Sequence, residues 1–123
     1  MVIRISSVVL SFSGSFALLL GLLLWSDRAS NLGPLHMLLG LLVVVTLWVI
    51  GIGQVFTHSG SWFMAACAVI IGGLVLGLGL IQTSLMVGEL HWIIRVIHLI
   101  LGLTAIGIGH MAAARYRKAA TGQ

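Results

Sequence analysis

Apolar residues run through the chain in four long blocks, at about 5–25, 34–57, 62–85 and 90–114, divided by short polar breaks. Each block reaches or exceeds the ~20 residues that a helix needs to cross the hydrocarbon of a bilayer. The breaks are "SDRASNLGP", "HSGS" and "MVGE", and each holds turn formers or a charge. Pro34 falls in the first turn of the second block, where its missing N–H costs nothing. Connections this short pack neighbouring helices antiparallel. The pattern therefore predicts an all-α membrane protein of one domain, residues 1–123, folded as a four-transmembrane-helix up-down-up-down bundle. Arg4 ahead of an apolar run resembles the start of a signal peptide. The run extends to Leu24, however, and no small-residue cleavage pattern follows in "LWSDRAS", so it reads as a retained first span.

Composition agrees with this pattern. The chain is 60% hydrophobic and only 7% charged, with a mean hydropathy of +1.23. A soluble domain carries about 25% charged residues. The net charge of +4 does not point to nucleic acid, because three of the six basic residues are Arg115, Arg117 and Lys118 at the end of the last span. That cluster suits a tail facing an anionic inner leaflet, and no polybasic groove remains for a nucleic acid. With Arg4 it places both termini in the cytoplasm, since Arg28 in the first break is accompanied by Asp27. The expected location is the cell (inner) membrane, multi-pass, with lipid around it. Trp25 and Trp92 then fall at the outer interface and Trp62 at the inner one. Cys67 is the only cysteine, so there is neither an intrachain disulfide nor a C-x-x-C-H haem attachment. Among sixteen glycines, Gly73 and Gly77 have the spacing of close helix packing in lipid, and the repeated "IGIG" at 50–53 and 106–109 has the same expected cause.

The histidines carry the candidate chemistry. His36, His58, His91, His98 and His110 all fall in or beside the second and fourth blocks. In a sequential bundle those two helices are diagonal, roughly 12–14 Å apart given the usual 8–10 Å between neighbouring axes. That gap accommodates two imidazoles on one metal, with a porphyrin between them. "GPLHMLLGLL" and "RVIHLILGL" match, so that His36 aligns with His98 and Gly40 with Gly102 at the same offset of 62 residues. Each glycine lies one turn beyond its histidine on the same face, where a flat ring needs an absence of bulk. Chance matching of Leu and Gly in any apolar helix is the plainer explanation of the glycines; the paired histidines are the informative part. Levelling His36 with His98 puts Arg95 opposite Gly33, at the helix mouth, where its charge avoids hydrocarbon and can meet haem propionates. His91, seven residues before His98, is the alternative ligand or a second propionate contact. His110 comes level with Trp48, about 15 Å from His58, so a second haem is not expected. His58 reads as a loop residue, and His110 as a packing or partner contact. No paired carboxylates, Ser-His-Asp set or phosphate loop is visible.

With a His-x-x-x-Gly pair on the second and fourth spans, the chain resembles a small membrane cytochrome b four-helix module, and in particular one half of a haem A synthase. The resemblance implies His36 and His98 as axial ligands of haem iron. In the catalytic half of that family a glutamate precedes the first histidine by three residues and an arginine follows it. Here those positions hold Gly33 and Met37, so haem hydroxylation is not implied.

The reading is a one-haem, haem b electron-transfer protein, a subunit of a respiratory or photosynthetic membrane complex or a homodimer. Its haem-contact residues are His36, His98, Arg95, Gly40, Gly102 and, secondarily, His91. The haem lies near the outer face, and electrons exchange with a quinone or a periplasmic carrier. Substrate conversion of its own is not expected. The competing readings are a non-redox scaffolding subunit, a chlorophyll-type pigment protein and a haem A synthase-like enzyme.

Overall fold

The computed structural model describes residues 1–28, 30–56 and 61–121, and these are almost entirely helical. Helix α1 covers Val2–Trp25, α2 Gly33–Gly53, α3 Trp62–Ile81 and α4 His91–Thr121. Short 3₁₀ turns, Ser30–Leu32, Gln54–Phe56 and Gln82–Ser84, precede α2 and extend α2 and α3. All four helices are long and apolar enough to cross a membrane. The sequence placed these elements closely, with one difference of length. Helix α4 runs seven residues past the end of its apolar block and carries Arg115, Arg117 and Lys118. Nothing in that stretch breaks a helix, because Ala, Arg and Lys are among the better helix formers.

Local chemistry explains the ends. Pro34 occupies the first turn of α2. The Ser61 side chain caps α3 by accepting from the backbone N–H of Met64 at 3.3 Å. Several hydroxyl side chains inside the helices are satisfied on their own turns. Ser13 donates to the carbonyl of Val9, Thr46 to that of Leu42 and Thr104 to that of Ile100, at 2.6–2.8 Å. Such bonds let a hydroxyl sit in apolar surroundings without a partner helix.

Helix α1 packs on α2 and α4, α3 packs on α2 and α4, and α2 and α4 also touch each other directly. The expected separation of 12–14 Å along this diagonal is therefore corrected: the bundle is a rhombus with α2–α4 as its short diagonal. Small residues are the cause. Ala105, Ala112 and Ala113 of α4 are fully buried, and a Cβ at Gly109 would run into Leu10 and touch Leu47. Backbones approach closely where side chains are small. Gln54, at the end of α2 and 2% exposed, donates its side-chain N–H to the carbonyl of Ala112.

Most of the core gathers at one end of the bundle. It joins Ile3 and Leu10 of α1, Val43 to Ile50 of α2, Met64 to Val75 of α3 and Ala105 to Ala113 of α4. The glycines divide accordingly. A Cβ at Gly51 would strike Ala68, and one at Gly72 would strike the Trp48 ring. These are the close-packing positions. Gly73 and Gly77, by contrast, face open space, so packing within this chain is not their role; the packing glycine of α3 is Gly72, one residue away. Of the "IGIG" repeats, Gly51, Gly53 and Gly109 meet neighbours and Gly107 does not.

Candidate functional site

Next to this core the four helices part around a cavity of about 340 Å³, bordered by the core's Val43 and Val75 and opening toward the other end of the bundle. Its volume is within the usual size range of small-molecule sites. It is walled by the second half of α1, the first half of α2, the end of α3 and the first half of α4. His36, His91, Arg95, His98, Gly40 and Gly102 all line it. The sequence-derived set is thus brought together in one place. Gly33, the residue set level with Arg95, lines it too, as does Met37. The two positions where a haem A synthase carries its glutamate and arginine therefore present no charge to this cavity.

The rings of His36 and His98 meet in an edge-to-face arrangement, with centroids 6.3 Å apart and planes at 64°. An imidazole nitrogen about 2 Å from a metal ion puts its ring centre roughly 3.2 Å from that ion, so two opposed ligands have centroids roughly 6–6.5 Å apart. The observed centroid spacing falls in that range. His36 is held by a long-range bond: its Nδ1–H donates to the carbonyl of Ala17 on α1 at 3.0 Å. This fixes the tautomer and leaves Nε2 with its lone pair, the arrangement by which metal-binding imidazoles are oriented. His98 is the complement. Its Nδ1 is buried with no hydrogen-bond partner, and such atoms are rare unless a ligand or ion accounts for them. His91, also on the cavity wall, donates its Nδ1–H to the carbonyl of Leu85 at 3.2 Å, and it is the His98 ring that meets His36.

Gly40 and Gly102 face open space: a Cβ at either would touch nothing within 4 Å. Packing does not require glycine there, whereas a group filling the cavity would. The sequence missed three contributors. A Cβ at Gly21 of α1 would come within 3.2 Å of the His36 ring, and one at Gly79 of α3 within 3.3 Å of the His98 ring. Each histidine thus has a glycine beside it from the preceding helix, and Ala17 supplies the carbonyl. The glycines were visible but not assignable. Gly21 precedes its histidine by 15 residues and Gly79 by 19, a one-turn difference that hides the match.

Among the described residues no three His, Cys, Asp or Glu side chains come together as a metal site. Two imidazoles are too few for the usual four-coordinate zinc site. They suit a metal that arrives already ligated by a macrocycle, so the residues present fit haem. His110 is exposed and lines no part of this cavity, and His58 lies outside the described residues. Compared with family models, curated proteins and solved structures, the chain matches none.

Proposed function

We propose that this chain is a small membrane cytochrome b that holds one haem b between His36 and His98 and passes electrons through it. The carrying observation is the pair of imidazoles 6.3 Å apart across a cavity, one tautomer fixed by Ala17 and the other ring holding a partnerless buried nitrogen. When bound, haem iron supplies a one-electron redox couple whose potential depends on axial ligands, hydrogen bonds and burial. The chain's own residues do the rest. His36 and His98 ligate, and Ala17 keeps His36 oriented. Gly40 and Gly102 would leave room for the group in the cavity. Arg95, on the cavity wall, offers a fork of donors to propionates. Neither acid of the chain, Asp27 or Glu89, lines this cavity, which supports electron transfer over acid–base conversion of a substrate.

In this reading the bundle runs up-down-up-down with both termini cytoplasmic and the site near the outer face of the inner membrane. In the core, Ile3 and Leu10 early in α1 and Met64 and Ala68 early in α3 join Leu47 and Ile50 late in α2 and Ala112 and Ala113 late in α4, which supports alternating directions. The basic end of α4 supports the orientation. An absorption spectrum of the purified protein tests the proposal. A reducible b-type Soret and α band is expected, retained in His91→Ala and lost in His36→Ala and His98→Ala. A colourless wild-type protein, unable to take up added haem, overturns it.

A further inference from the structure

A second, more open cavity of about 430 Å³ lies at the start of α4. It is bounded by Thr83, Val87, Glu89, His91, Trp92 and Arg95. The chain reverses there through Gly88, whose φ of 101° suits glycine and strains other residues. The N–H of His91 bonds back to the Gly88 carbonyl at 3.1 Å. This reversal brings an acid and a base, Glu89 and Arg95, to one cavity. They do not satisfy each other: among the described residues neither side chain makes an ion pair or a hydrogen bond. An unpaired charge in an apolar span is costly and usually functional. Helix α4 begins at His91, so the positive end of its dipole adds to the Arg95 charge. Exposed Val87, Leu90 and Trp92 set apolar surface beside these charges, the mixture found where helix ends meet the headgroup layer of a bilayer.

We propose that this cavity binds the headgroup of a phospholipid that carries both a phosphate and a primary ammonium, as phosphatidylethanolamine does. Two opposite charges that line one cavity without pairing are each met by such a zwitterion. The Arg95 guanidinium donates to the phosphate oxygens, joined by the Thr83 hydroxyl and the Trp92 indole N–H. The ammonium has three N–H donors, and Glu89 accepts one of them. His91 accepts another: its Nδ1–H goes to the carbonyl of Leu85 at 3.2 Å, which leaves Nε2 of the neutral ring with its lone pair. A purely anionic headgroup would meet Arg95 but be repelled by Glu89. A trimethylated ammonium would meet Glu89 with no hydrogen to donate. Val87, Leu90 and Trp92 at the rim give the first part of the acyl chains an apolar bed, which a water-soluble zwitterion would not use. The inference does not depend on what fills the first cavity. Thr83, His91 and Arg95 border both cavities, and the planar Arg95 fork has donors on more than one edge.

Native mass spectrometry of the purified protein in a non-ionic detergent tests this, with dioleoyl lipids that differ only in headgroup. Phosphatidylethanolamine is expected to be retained about tenfold more strongly than phosphatidylcholine or phosphatidylglycerol, a difference of about 1.4 kcal/mol. Lipid and haem differ in mass and are counted separately, so a protein that takes up no haem still gives this result. Glu89→Gln is expected to erase the preference over phosphatidylglycerol. Arg95→Gln is expected to weaken retention of all three lipids about tenfold, with helical circular dichroism as in the wild type. Equal retention of the three lipids by the wild-type protein overturns the proposal. So does a wild-type preference in Glu89→Gln, or wild-type retention in Arg95→Gln. A phosphatidylethanolamine with a photoreactive diazirine beside its glycerol is expected to label residues 83–95, and labelling only elsewhere overturns the assignment. O-Phosphoethanolamine, the headgroup without chains, is expected to displace that label far less well than unlabelled lipid; equal displacement would remove the lipid as the occupant.

Discussion

At the residue scale, glycine does two different jobs in this chain, and substitution separates them. Gly40 and Gly102 border the cavity without touching anything, whereas Gly72 lies against the Trp48 ring. Gly40→Leu and Gly102→Leu are therefore expected to keep the helical circular dichroism and melting temperature of the wild type and to weaken haem uptake about tenfold or more, which is about 1.4 kcal/mol; haem titration of the purified variants measures this. Gly72→Ala is expected to do the reverse, costing about 1–3 kcal/mol of stability by overpacking with the spectrum unchanged. Arg95 is a charge on the cavity wall. Arg95→Gln is expected to keep the haem but lower its midpoint potential, because a nearby positive charge favours the electron-richer state, by about 1 kcal/mol or less in this half-exposed setting. Redox titration reads that shift. Much of this cavity's lining was legible in the sequence, because a histidine inside an apolar run is costly enough to be conspicuous. Gly21, Gly79 and the Ala17 carbonyl were not, since their part depends on which face of a neighbouring helix meets the histidine.

At the scale of the elements, hydropathy located every helix, because a bilayer-length run of apolar residues is a local property. Helix ends departed from it where local chemistry changed. Helix α4 outruns its apolar block through good helix formers, while α2 and α3 finish in 3₁₀ turns. The close approach of α2 to α4 was not legible, since spacing along one chain carries no statement about the side chains of another helix. Gln54 sits at that contact, buried at 2% exposure and bonded to Ala112. Gln54→Ala is expected to destabilise the bundle by about 1–3 kcal/mol, the cost of losing a buried hydrogen bond and its packing, measured by denaturant unfolding in detergent.

For the whole molecule, the proposed orientation makes a direct expectation. In a Cys67→Ala background, a membrane-impermeant maleimide applied to intact cells stripped of their outer membrane should label Ser26→Cys and reach Arg115→Cys only after the membrane is opened. Labelling of both from one side would remove the alternating topology. The sequence by itself determined the membrane setting, the number and placement of the helices and the candidate ligands. Those follow from transfer energetics and helix rise, which add up residue by residue. Only the tertiary structure decided that α2 and α4 close on each other, that Gly72 rather than Gly73 or Gly77 is the packing glycine of α3, and that His98 rather than His91 meets His36. Helix rotation and axial shift are fixed by all the packing contacts at once, and short apolar repeats leave them open.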